Sequence, residues 1–216
     1  MIQEAMNANL MYGRILVYEK DSLPDGFDLN RVLRFVEKRI PPSLTQYVEQ
    51  ILIGQFDDLI QRQVNAAYAD GAIYITNDQV NEQDMVDDII HEFSHAVEEM
   101  FGQQIYSDGL IVREFLAKRK TLNDYLKYDG YNVPKTFIHD PEFNSHVDSF
   151  LYRVVGYPKL HTLIDGLFLS PYAVTSVNEY WGIAFEEYFS GDKRNVKLLA
   201  PAVFKAMEAI SQNEKY

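Results

Sequence analysis

His91-Glu92-Phe93-Ser94-His95 puts two imidazoles four positions apart, with a carboxylate directly after the first. An α-helix turns once every 3.6 residues, so side chains four apart share a face, with about 5–6 Å between Cβ atoms. Two histidines held that way can converge on one Zn²⁺. Glu92, on the adjacent flank, can hold a metal-bound water and act as its general base. In a chain with so few histidines, five in all, this H-E-x-x-H word arises by chance about once in a hundred chains. The competing reading is two histidines packed at a helix surface.

The word sits inside a helical pattern, NEQDMVDDIIHEFSHAVEEMFG, that begins at Asn81. Met85, Ile89, Phe93, Val97 and Phe101 recur every four residues, with Val86, Ile90 and Met100 beside them. That is a helix burying one stripe. Asn81 is the expected N-cap, with Asp84 three residues on, and Gly102 the expected stop. His91 and His95 fall next to the buried stripe. Asp88 and Glu99 lie within a turn of the histidines, where carboxylates can either orient metal ligands or simply solvate a face.

A hydrolytic zinc usually takes three protein ligands and leaves the fourth position to water. A metzincin would need Gly and His soon after His95. The chain reads AVEEMFGQQIY there, and the inverse word H-x-x-E-H is absent. The third ligand must then be a Glu, Asp or His from a later helix. Glu179 is the leading candidate, with His161 and Asp165 behind it and then His146 and Glu186. His139 and His146 flank Asp140-Pro141, an expected helix start, and read as ordinary, partly exposed residues. Glu179 also has a second reading: Ser176-Val-Asn-Glu179 fits a capping box, in which the Glu side chain reaches back to the Ser176 N–H.

Ile89-Ile90 precede the H-E-x-x-H word, and Tyr172 stands seven residues before Glu179. Tyr180-Trp181 and then Ala184-Phe185 follow that Glu. In these features the chain resembles the zincin metallopeptidases of the anthrax lethal factor and Pro-Pro endopeptidase family, over about residues 70–102 and 170–190. The resemblance implies a gluzincin site, with one Zn²⁺ held by His91, His95 and Glu179. It further implies that Tyr172 donates its phenol to the oxyanion of the tetrahedral intermediate. Between His95 and Glu179 it implies a helical insertion at about 103–169.

The elements that must carry these residues are legible in outline. Residues 13–19, 47–53 and 72–76 read as strands, the last introduced by the turn signal Asp70-Gly71. Asp28 begins a helix that Pro41-Pro42 stops. In the zincin architecture the strand just ahead of the metal helix lies at the sheet edge, where unpaired N–H and C=O groups can pair with substrate backbone. After Gly102 the pattern is helical over about 109–128, 141–155, 158–168 and 177–189, with a last helix from Pro201 and a fraying tail SQNEKY.

The expected fold is therefore α+β and zincin-like: a small mixed sheet with an edge strand over the active-site helix, and a helix-rich C-terminal half. The 216 residues form one expected domain. A formal charge of −12 argues against nucleic acid and anionic membrane as partners and suits a peptide or protein substrate. No cysteine is present, so disulfide and thiolate chemistry are excluded. The N-terminal residues show no signal peptide, which points to an intracellular protein unless a leader has been removed. The expected activity is zinc-dependent peptide-bond hydrolysis. The alternative is a zincin-like structural or interaction module within an assembly, its zinc structural or absent.

Overall fold

The computed structural model describes residues 9–212, so the first eight residues, part of the segment read for a signal peptide, and residues 213–216 of the polar tail lie outside the described residues. The chain divides into two compact units, residues 1–100 and 101–216. The expected insertion at 103–169 and the Glu179 helix both fall in the second.

The first unit carries a five-stranded mixed sheet in the order β1-β2-β3-β5-β4. Its strands are β1 (Asn9–Met11), β2 (Ile15–Glu19), β3 (Gln50–Ile53), β4 (Ala66–Ala69) and β5 (Ala72–Ile75). β2, β3 and β5 run parallel, while β1 and β4 pair antiparallel to their neighbours. Ile15, Val17, Ile51, Ile53, Ile73 and Ile75 alternate onto one buried face, as the period of two in a strand requires. α1 (Leu29–Arg39) connects β2 to β3 and starts where Asp28 accepts a hydrogen bond from the Arg31 N–H. A short α2 (Asp57–Arg62) follows β3.

One expectation about the sheet needs correcting. β5, the strand leading to the H-E-x-x-H helix, is not an edge strand: β3 and β4 pair with it on both sides, and β4 is the edge. The cause is the turn. Asp70 (φ +48°) and Gly71 (φ +78°) are both left-handed, the backbone of a two-residue hairpin turn. It folds Ala66-Ala-Tyr-Ala69 back onto β5. The Ala-rich composition of β4 gives little strand signal of its own.

α3 spans Glu82–Tyr106. Asn81 Oδ1 accepts from the Asp84 N–H at 3.0 Å, the expected cap. Met85, Ile89, Ile90, Phe93 and Val97 are fully buried. Gly102 does not end the helix. A mid-helix glycine costs only about 1 kcal/mol, and Ile105, one turn on, is buried. The chain turns instead at Gly109, whose φ of +65° suits glycine.

The second unit is helical among its described residues: α4 (Leu110–Tyr128), α5 (Ser145–Ser149), α6 (Tyr157–Leu163), α7 (Val177–Phe189), α8 (Lys193–Leu199) and α9 (Pro201–Gln212). A π-helical stretch, Phe150–Val155, continues α5. Asp140-Pro141 does not start α5. Asn144 does, its side chain accepting from the His146 and Val147 N–H groups. The Asp140 and Pro141 carbonyls are engaged elsewhere, by Arg119 and by the Val177 N–H.

α4 is the spine of this unit. Arg119, 1% exposed, donates from Nε to Val174 O (2.9 Å), from Nη1 to Phe137 O (3.2 Å) and Asp140 O (2.7 Å), and from Nη2 to Thr175 O (2.6 Å). Its guanidinium also lies 4.4 Å from the centroid of the Phe115 ring. Burial pulls its pKa down to about 10, against the pull of Asp140. Lys118 donates to the Leu167 and Leu199 carbonyls. Glu114 accepts from the Tyr180 phenol at 2.7 Å and from the Ala202 N–H at 2.9 Å. Arg119→Met would strand four buried carbonyls, and the second unit is expected to lose on the order of 3 kcal/mol of stability. Urea unfolding followed through the fluorescence of Trp181, the chain's one tryptophan, checks this. An unchanged midpoint would refute it.

Candidate metal centre

Each part of the centre is built by a local rule. On α3 the buried stripe fixes the helix rotation, which leaves His91 and His95 half-buried on its flank and Glu92 7% exposed. The two imidazole rings stand 5.1 Å apart between centroids, at 79°. His95 Nδ1 lies 3.6 Å from Glu98 Oε2, ion-pair range but longer than a hydrogen bond. A carboxylate on Nδ1 favours the tautomer that leaves Nε2 for a metal. Asp88 and Glu99, near the histidines by spacing, each have a partner outside α3. Asp88 accepts from Gln79 at 3.3 Å, and Glu99 accepts from the Tyr68 phenol at 2.6 Å, joining edge strand β4 to α3. The signal for Glu98 was its i+3 position from His95 on the helix face.

The third candidate ligand stands in the first turn of α7. Ser176 Oγ accepts from the Glu179 N–H at 3.1 Å, so the serine half of the expected capping box is present. That bond uses the Glu179 backbone. The Glu179 carboxylate accepts from the Tyr172 phenol at 3.3 Å. The spacing of seven residues works because Tyr172–Val174 forms a 3₁₀ turn and Thr175 Oγ1 closes back on the Tyr172 carbonyl at 2.8 Å. Burial pushes the Tyr172 phenol well above its ordinary pKa, and the charge and hydrogen bond of Glu179 push it further. The phenol therefore keeps its proton across the neutral range. Two of the carbonyls clamped by Arg119, those of Val174 and Thr175, lie inside this same segment.

His91, His95 and Glu179 together form a group that could hold a metal ion, each offering one ligand atom, with these atoms within 4.8 Å of one another. Two imidazole nitrogens and one carboxylate oxygen form the His₂Glu donor set of a catalytic zinc. The rival ligands do not join such a group among the described residues. His161, Asp165 and His139 are exposed. His146 is exposed and lines a cavity of about 480 Å³ with Pro134, Phe150 and Val154. Glu186 is half-buried, two turns beyond Glu179 on α7.

Comparison with protein-family models, with curated proteins and with solved structures returned no match. No helix among the described residues is long and apolar enough to cross a membrane.

Glu98→Gln keeps the shape of the side chain but removes its charge from His95. It is expected to weaken zinc binding roughly tenfold and to leave the unfolding midpoint within experimental error. Competition titration against a chelating dye reads this, and an unchanged affinity would remove Glu98 from the centre.

Proposed function

We propose that this protein is a zinc-dependent endopeptidase, with His91, His95 and Glu179 holding one ion in a zincin-like catalytic unit. The single observation that carries the reading is the His-His-Glu group, formed around an H-E-x-x-H word on a helix. The resemblance to the lethal factor and Pro-Pro endopeptidase family supports it through Tyr172 and Glu179.

When bound, the zinc would polarise the scissile carbonyl and bring the pKa of its water toward ~7. The rest falls to the chain. Glu92, buried beside His91, accepts the proton of the attacking water and delivers it to the leaving amine. Tyr172, kept protonated by burial and by Glu179, donates its phenol to the oxyanion that develops on the substrate carbonyl. Edge strand β4, with its outer N–H and C=O groups unpaired by the sheet, is the strand available for pairing with extended peptide backbone.

Three measurements test the reading. Wild-type protein incubated with a randomised peptide library is expected to yield discrete cleavage products by mass spectrometry. A zinc-loaded protein that cuts nothing would favour the structural or interaction module. Glu92→Gln is expected to retain zinc and lower kcat by at least about a thousandfold; ordinary turnover in that variant would reject Glu92 as the base. Glu179→Ala is expected to lose most of its bound zinc, and full metal content would move the third ligand elsewhere.

A further inference from the structure

The second unit encloses a cavity of about 480 Å³ whose residues the peptidase chemistry does not use. One wall is the stretch from Asn132 to Lys135, and the other is α5 with its π-helical continuation. His146, Ser149 and Phe150 stand at i, i+3 and i+4 and share a helix face. Val147 and Leu151, both buried, hold the adjoining face inward. The two walls are tied together. The Tyr131 ring meets the Phe150 ring edge-on, 6.4 Å between centroids. Just past Lys135, Arg119 holds the Phe137 carbonyl. The cavity is therefore preformed, and its volume falls within the roughly 300–1,000 Å³ of small-molecule sites.

Four polar side chains line it: Asn132, Lys135, His146 and Ser149. None of the four makes a side-chain hydrogen bond or ion pair among the described residues. Between them they offer an amide, an ammonium, an imidazole and a hydroxyl. No carboxylate lines the cavity among the described residues, although the chain carries 32 Asp and Glu against 20 Lys and Arg. The remaining lining is apolar, from Val133, Pro134, Phe150 and Val154, and Val154 is 61% exposed. Two of these four come from the π-helical stretch, a departure from α geometry that recurs at functional sites. Water can satisfy the polar groups, so a ligand that displaces it must bring acceptors of its own. Lys135 supplies the lining's one ammonium. It matches a singly charged carboxylate better than a phosphate, whose charge approaches two.

We propose that this cavity binds a small carboxylic acid with an apolar body, of the aryl- or alkylalkanoic class. Lys135 takes the carboxylate, with Asn132, His146 and Ser149 as further donors. Val133, Pro134, Phe150 and Val154 cover the hydrocarbon. The site stands independently of the peptidase reading.

The test is isothermal titration of the full chain with 3-phenylpropanoate, its neutral amide 3-phenylpropanamide and acetate. The acid is expected to bind about fivefold to tenfold tighter than the amide, and acetate more weakly than either. Lys135→Gln is expected to erase the preference for acid over amide. Val154→Asp, which adds a carboxylate to the opposite wall, is expected to weaken the acid about tenfold or more. Both positions are exposed, so the unfolding midpoint read through Trp181 fluorescence is expected to hold, and either variant alone suffices if the other shifts it. Equal binding of acid and amide, or a preference that survives Lys135→Gln, would overturn the proposal. So would binding that disappears when zinc is chelated, since the acid would then sit on the metal. Tighter binding of the free acid of acetyl-Ala-Ala-Phe than of 3-phenylpropanoate would replace the small acid by a peptide carboxy terminus.

Discussion

The second unit depends on one buried guanidinium. A charge taken out of water must be met by groups that fit it, and Arg119 meets four backbone carbonyls rather than a carboxylate. The planar fork suits that task, since its donors leave in fixed directions and reach two separate stretches of chain at once. One, from Phe137 to Asp140, belongs to the segment that looked like an insertion. The other is Val174-Thr175, which carries the chain from Tyr172 to Glu179. α4 and the 135–140 stretch therefore act as a platform under the proposed third ligand. Lys118 and Glu114, on the same helix, repeat the tactic, binding carbonyls and an N–H at the ends of other segments.

α3, which carries His91 and His95, reaches its rotation by a different route. Its stripe of Met85, Ile89, Phe93 and Val97 sets which face turns inward, and the histidine flank follows from the 3.6-residue period alone. The polar contacts along this helix then divide the work. Glu99 anchors the edge strand through Tyr68, Asp88 anchors the approach through Gln79, and Glu98 is left beside His95.

Much of this was legible in the sequence, for a physical reason. His91, Glu92 and His95 lie within one turn, so their relation depends on helix geometry and nothing else. The Asp28 and Asn81 caps, the Pro41-Pro42 stop and the bounds of α7 are likewise local. What could not be read depended on contacts distant in sequence. β4 is Ala-rich and becomes a strand because a left-handed Asp70-Gly71 turn lays it against β5, which moves β5 from the edge to the interior. Asp140-Pro141 has the chemistry of a helix start, but its carbonyls are claimed by Arg119 and Val177, and the start passes to Asn144. Gly102 has the chemistry of a stop, but Ile105 has a buried place one turn further. The Ser176 cap and a Glu179 ligand looked like rivals on paper. The serine cap uses the Glu179 backbone N–H, while the carboxylate belongs to the His-His-Glu group that could hold a metal ion.

The π-helical stretch Phe150–Val155 sets a condition on the length of the chain. A π turn holds about one residue more than an α turn, so the helix register on its far side is offset by roughly 100°. Gly156, at φ +79°, then ends this stretch and opens α6. Removing any one residue between Phe150 and Val155 would let the segment relax to an α-helix, yet would shift the point at which Gly156 ends it and α6 begins. In this stretch the number of residues carries structural information that their identities do not.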